Sequence, residues 1–410
     1  MEMDSQIKDK ALQIMKITDG EICNNCLGRN FSKLIEGVDN KQRGQYIKKI
    51  LAEEGYNNLN SDSCYICQDI IKEITPELIE RVIKKIDSVG VEFSTFLVGT
   101  RVSKELIQKE ENLHEKLGLD VENIKKELNR EIGKKLSLET GKEVEFDTPE
   151  IIILVDFLND NIEIQINPLF IEGRYRKLIR GIPQTKWPCR KCKGKGCGYC
   201  NYTGKMYAES VEELIEPEAL KMTKGNISKF HGAGREDIDV KMLGNGRPFV
   251  LEIKEPLKRK IDLEDLEKKI NKSAHGKVEV LDLKFVEKDR RSVIKSSSKD
   301  TYKVYLARVT LDEEVAPEKL KILKSLKIIH QRTPIRVSHR RADKIRIRSI
   351  KHIEVKMVNP KELELVIECE GGLYIKELIS GDEDRTKPSV SQLLEKHAKC
   401  KKLNVLDVNI

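Results

Sequence analysis

The chain has 410 residues, 39% hydrophobic and 35% charged, with a formal net charge of +8. That length predicts two or three domains, and the apolar fraction excludes a wholly disordered chain. No apolar run approaches the roughly 20 residues of a membrane-spanning helix, and Met1-Glu2-Met3-Asp4-Ser5 lacks the basic-then-apolar order of a secretory signal, so a cytoplasmic protein with no membrane partner is expected.

Residues 1–90 read as helical. Gln45–Glu54 and Thr75–Ile86 space their apolar residues by three and four, and Thr75 before Pro76 is a helix start. Residues 91–180 alternate strand and helix as a small α/β domain. Val91–Val98 reads as a strand, and Leu113–Thr140 as one helix or two. Ile151–Phe157 and Ile162–Ile166 are strands flanking a hairpin signal at Asn159–Asn161. From Gly173 to Trp187, Arg174, Arg176, Lys177 and Arg180 are interleaved with aromatics, a pattern that can grip phosphate and stack bases. A basic linker is the plainer alternative. Residues 181–205 form a cysteine-bearing linker.

Residues 206–410 read as a longer α+β region with a mixed, mostly antiparallel sheet flanked by helices. Its strands are Val250–Ile253, Lys277–Leu283, Tyr302–Thr310, Ile347–Val355 and Glu362–Glu368, and its helices include Glu209–Thr223 and Ser389–His397. The charged, serine-rich stretch Asp289–Asp300 is expected to be a mobile loop. Between Lys319 and Arg348 lie eleven Lys or Arg, Arg336, Arg340 and Arg341 among them, and one acid, Asp343. Such a stretch attracts polyanions, although a solvated basic face is its bland alternative.

Eight of the ten cysteines fall in Cys-x-x-Cys pairs: Cys23/Cys26, Cys64/Cys67, Cys189/Cys192 and Cys197/Cys200. In a reducing compartment disulfides are disfavoured, and paired thiolates suit a closed tetrahedral zinc site. One or two structural Zn2+ ions are expected, one per pair of pairs. A redox dithiol would need a βαβ context that is missing here. Cys369 and Cys400 stand alone and read as core cysteines.

The most chemical stretch runs from Gly232 to Phe249, with Gly234, Arg235, Asp237 and Asp239 inside six residues. It is not a dinucleotide fingerprint, because no G-x-G-x-x-G joins strand to helix. No further acids cluster there for a divalent metal. A carboxylate beside a fixed cation suits a nucleophile or an electrostatic catalyst.

Gly234-Arg-Glu-Asp237 resembles the Gly-Arg-x-Asp motif of pseudouridine synthases. Its continuation through Phe249 is similar to one branch, the archaeal and eukaryotic tRNA pseudouridine-54/55 synthases. The resemblance extends through Lys303–Ala307, Gln331–Arg341, Gly372–Asp382, Arg385–Pro388 and, upstream, Asn167–Trp187. It implies an isomerase acting on uridine at position 54, 55 or both in the T arm of tRNA, with no organic cofactor. It implies Asp237 as the catalytic carboxylate, Tyr305 stacked on the flipped base, and Lys376 paired with Asp237. Arg235 would hold the nucleotide and Leu378 would pack under the base, while Asp239 is the fallback carboxylate. Residues 91–180 resemble a THUMP domain, which would bind the acceptor end. No obligatory protein partner is implied, and a monomer is expected. The competing readings are another THUMP-type tRNA-modifying enzyme and a non-catalytic zinc-containing RNA-binding protein. Neither accounts for Gly234–Asp237, Tyr305 and Gly372–Lys376 together.

Overall fold

The computed structural model describes residues 5–56, 59, 63–296 and 301–409, except for the side chains of Ser5 and Arg340. The chain divides into two compact units, Met1–Asn167 and Pro168–Ile410.

In the first unit, helices α1 (Ser5–Ile17), α2 (Asn24–Arg29), α3 (Asn40–Glu53) and α4 (Pro76–Val89) precede the sheet. Strand β1 (Thr95–Arg101) leads through α5 (Lys104–Leu117) and α6 (Ile124–Thr140) to β2 (Glu143–Val144), β3 (Ile151–Asp156) and β4 (Asn161–Ile166). The sheet order is β2-β1-β3-β4. β1 runs parallel to both neighbours and β3–β4 is the hairpin that the sequence predicts. The helices start at polar caps. Asp39 makes a reciprocal capping box with Gln42, and Thr75 accepts from the Leu78 N–H just ahead of Pro76. Arg29 is fully buried and ion-paired to Glu110 at 2.7 Å and to Glu127. A buried guanidinium must be compensated, and this one ties α2 to α5 and α6. The helical stretch and the sheet therefore form one unit, not a division at 90.

In the second unit, β5 (Leu169–Lys177) is followed by α7 (Val211–Thr223), β6 (Ile227–Gly232), β7 (Lys241–Lys254), α8 (Leu263–Ser273) and β8 (Val278–Phe285). Next come α9 (Arg290–Ser296), β9 (Tyr302–Leu311), β10 (Ile328–Arg332), β11 (Ile345–Asn359) and β12 (Glu362–Glu370). The chain continues through α10 (Ile375–Ser380), β13 (Thr386–Lys387), α11 (Val390–Leu394) and β14 (Ala398–Val408). The strands form one sheet in the order β13-β10-β11-β12-β9-β14-β7-β5-β8, with β6 also on β7. All pairings are antiparallel except β14 with β7. The core is mostly aliphatic: Val, Ile and Leu from β7, β9 and β12 pack with α7, α10 and α11.

Three expectations shift. The boundary expected at 180 lies at 167/168, because β5 pairs with β7 and β8 inside the larger sheet. The stretch Asp289–Asp300 is not simply a loop: α9 covers Arg290–Ser296, with Ile294 buried, and 297–300 lie outside the described residues. The helix expected over Ser389–His397 stops at Leu394, and β14 begins at Ala398.

Candidate active site

The Gly234–Asp237 turn leaves β6 with successive side chains on opposite sides. Gly234 takes φ +75°, and a Cβ there would lie 3.2 Å from the Arg247 guanidinium, so only glycine fits without strain. Arg235 swings outward over the Trp187 ring, 4.7 Å from its centroid. Glu236 turns inward and is buried. It accepts from the Tyr175 hydroxyl at 2.8 Å and is ion-paired with Arg247 at 2.9 Å and Lys177 at 3.7 Å. Asp237 then faces the solvent side.

The backbone of this turn is held from beneath. Lys177 Nζ donates to the carbonyls of Asp237 and Ile238, Gln184 to Gly234, Arg247 to Ala233 and Arg180 to Asp239. These donors, all but Arg180 buried, satisfy carbonyls that a tight turn leaves unpaired. Burial lowers the Lys177 pKa, and Glu236 opposes that shift.

Above the turn lies a cleft of about 710 Å³. Asp237 lies at its edge, its side chain 35% exposed. Oδ2 is 2.9 Å from Arg336 Nη1 and 3.5 Å from Lys376 Nζ. Arg336 is itself held by the buried Glu377, with Nε donating to Oε1 at 2.5 Å, and its guanidinium lies 5.7 Å from the Tyr374 ring centroid. Burial opposes the charge on Arg336, but Glu377 and Asp237 raise its pKa further above its ordinary value. Lys376 donates to both oxygens of Asp239 at 2.7 Å. Burial would raise the Asp239 pKa, yet Lys376 holds it below the usual carboxylate range. So Lys376, expected on Asp237, engages Asp239 more closely, and Arg336, expected to contact RNA, is the nearer partner of Asp237.

Tyr305 lines the cleft from β9, with Val405 of β14 directly across the ladder. Burial, then the nearby Cys369 thiol, raises its phenol pKa, with smaller contributions from Asp237 and Glu236. Lys303, two residues earlier, also lines the cleft, and burial followed by the charge of Arg247 depresses its ammonium to about 8. Leu378 is fully buried on the inner side of α10, among core residues, and does not line the cleft. The apolar lining includes Leu373, Ile375, Leu403 and Val405. No sequence pattern marks Leu403 or Val405, because they reach the cleft through strand order alone.

Of the basic residues expected to grip RNA, Lys177 is fully buried and cannot do so. Arg174 donates to the carbonyls of Asn245, Gly246 and Val408, Arg176 to that of Gly244, and Arg180 to those of Asp239 and Leu403. Their donors serve the loop and its strands instead. Gly244 is needed there, since a Cβ would come within 1.9 Å of the Leu406 carbonyl. Arg341 reaches the cleft. The Arg340 side chain lies outside the described residues.

Both cysteine quartets assemble as the spacing predicts: Cys23, Cys26, Cys64 and Cys67 in the first unit, and Cys189, Cys192, Cys197 and Cys200 in the second. Sulfur pairs lie 3.7 Å apart for Cys23–Cys67 and 3.8 Å for Cys192–Cys200. A tetrahedral zinc with bonds of about 2.3 Å requires a separation of about 3.8 Å. Backbone N–H groups of Cys26, Gly196 and Gly204 point at Cys23, Cys192 and Cys200 sulfurs, as second-shell donors to thiolates do. The residues therefore fit the ion. Burial pushes the isolated Cys369 and Cys400 thiols up to about 12 and 11, in keeping with core roles.

The family model described as Pus10, C-terminal, matches residues 170–409, and the archaeal Pus10 THUMP domain model matches residues 78–156. A relative from Methanothermobacter marburgensis, named tRNA pseudouridine synthase Pus10, is 50% identical over 405 residues and 98% of each chain. Another of that name, from Pyrococcus furiosus, is 41% identical over 407 residues and again 98% of each. Among solved structures, a Cbf5-Nop10-Gar1 complex matches 48% of this chain and 44% of its own, at 18% identity and a TM-score of 0.31. One model spans more than half of the residues and the curated relatives align along nearly the whole length, so the chain belongs to the Pus10 family of tRNA pseudouridine synthases.

Proposed function

We propose that this protein isomerises uridine to pseudouridine at position 54, 55 or both in the T arm of tRNA, with Asp237 as the catalytic carboxylate. The observation that carries this reading is the Asp237 carboxylate bracketed by Arg336 and Lys376 beside Tyr305. In the reaction the C1′–N1 bond breaks, the base rotates, and C1′ bonds to C5. C5 gives up its proton and N1 gains one, so atoms balance without a redox partner. Positive charge develops on the sugar as the first bond breaks, and a fixed carboxylate stabilises it, whether or not it bonds to C1′. Arg336 and Lys376 keep that carboxylate aimed. Tyr305 and the apolar wall accept the base, which must be flipped from its stack at a cost of a few kcal/mol.

The THUMP-containing first unit would hold the acceptor end of the tRNA. Zn2+ would close both quartets, with the cysteines as its only ligands and no open position for chemistry. The protein would act as a cytoplasmic monomer. The test is incubation of the purified protein with a tRNA transcript, followed by carbodiimide mapping of pseudouridine. Product in the T arm, lost in Asp237→Ala, is expected. No product from intact protein would overturn the activity, and product elsewhere would overturn the T-arm assignment.

A further inference from the structure

The cysteine knuckle of the second unit presents a surface that its metal site does not explain. Tyr199 is 57% exposed and Tyr202 80% exposed. Arg190, Lys191, Lys193 and Lys195 belong to the same knuckle and are exposed, and no acid occurs from Pro188 to Tyr207. Among the described residues none of these four cations has an ion-pair partner. Lys191 instead sits over the Tyr199 ring, 4.6 Å from its centroid. Tyr202 has φ +59°, directly after Asn201 at +49°. The left-handed region is unfavourable for a bulky side chain, yet here it projects an aromatic ring into water. A tyrosine needed only for packing would not be left this open.

The knuckle is also joined to the cleft. Its stem is the bridge between Pro188 and Lys205, continued by a hydrogen bond from Met206 N–H to the Trp187 carbonyl. Trp187 packs edge-on against Tyr207, lines the cleft, and carries Arg235 on its other contact. The stem of the knuckle thus ends on an aromatic and cationic pair, Trp187 and Arg235, at the cleft wall.

We infer that Tyr199 and Tyr202 form a stacking platform for unpaired nucleotides next to the target uridine, with Arg190, Lys191, Lys193 and Lys195 on the phosphates. This rests on the proposed RNA substrate. The chemistry favours RNA over other polyanions: cations alone would bind any phosphate surface, but two exposed aromatic rings among them suit nucleobases, which stack without regard to sequence. A flipped nucleotide leaves its neighbours unstacked, which frees their faces.

The test uses the full-length zinc-loaded protein and a tRNA transcript. Kd is measured by filter binding and kcat and KM by tritium release, for the wild type, Y199A/Y202A and Y199F/Y202F. Loss of stacking should raise Kd and KM about 10-fold per tyrosine, leave kcat within about twofold, and leave zinc content unchanged. The Phe pair should match wild type, because the ring face is kept. Wild-type affinity in the Ala pair would overturn the platform, as would a Phe pair as defective as the Ala pair. Independently of folding, tRNA carrying 4-thiouridine should crosslink wild-type protein within residues 190–202, and crosslinks confined to other segments would count against it. If wild-type protein binds through these tyrosines yet makes no pseudouridine, the proposed activity fails and the platform stands.

Discussion

Asp237 and Asp239 share one turn, and their surroundings distinguish them. Asp239 is 68% exposed and taken up by Lys376, whereas Asp237 is half as exposed and receives both Arg336 and Lys376. Arg336→Gln should therefore lower kcat about 10²-fold, the usual cost of losing one aimed donor, with tRNA Kd little changed. Steady-state kinetics of Arg336→Gln and Lys376→Met will rank the two, and a greater loss for Lys376→Met would restore Lys376 as the chief partner. Lys303 makes a second prediction. Its pKa is near 8 when folded and 10.5 when unfolded, so between those pH values the unfolded chain binds more protons at this group. Stability from this group then rises with pH across that window, by about 3 kcal/mol in all. Below pH 8 the burial penalty is fully present. Urea titrations at pH 7.5, 9 and 10 should show the stability advantage of Lys303→Met over wild type shrinking as pH rises, and a constant difference would contradict the assignment.

The turn that carries Asp237 is fixed by β5 and β7, through Lys177, Tyr175 and Arg247 converging on Glu236. Glu236→Gln would leave two buried cations facing one another, and such uncompensated charge costs about 3–5 kcal/mol. Thermal unfolding should show that loss, and adding Lys177→Met should recover part of it; equal stability of Glu236→Gln and wild type would mean that the network does not hold the turn. The same elements show what the sequence could reveal. Strand β12 is readable because apolar and polar residues alternate along a half-buried face, β3 because five apolar residues in a row run up to a turn signal, and β9 because it is rich in Val, Tyr and Thr. β5 is not readable, since Arg174, Arg176 and Lys177 look like a surface stretch until their carbonyl partners are known. β14 carries Lys399, Lys401 and Lys402 and was hidden for a similar reason. At the site, motif resemblance points to Asp237 and Tyr305, and both line the cleft. It does not point to the closeness of Arg336 to Asp237, because that pairing is made by tertiary structure. The resemblance points to Leu378, whereas Leu403 lines the cleft, because a motif says which residues occur, not which face of a six-residue helix they occupy.

Across the molecule, the two quartets belong to different units, so each should hold its ion independently. Metal analysis of the purified chain should find two zinc ions, and Cys26→Ser and Cys200→Ser should each leave about one. Loss of both ions from either variant would mean that the sites are coupled. The sheet order carries a different consequence. β14 sits between β9 and β7, lends Leu403 and Val405 to the cleft, and receives Arg174 and Arg180 on its carbonyls. All the other strands of that sheet precede it in the chain. At about 5–20 residues per second, a ribosome takes roughly four to twenty seconds to pass from the end of β9 to the start of β14. Throughout that interval β9 and β7 would offer open edges to any passing strand, and the nascent chain would have Asp237 and Tyr305 but not Val405 beside Tyr305. Newborn chains would thus be exposed to aggregation, yet unable to modify RNA, until the strand that seals the sheet also completes the cleft.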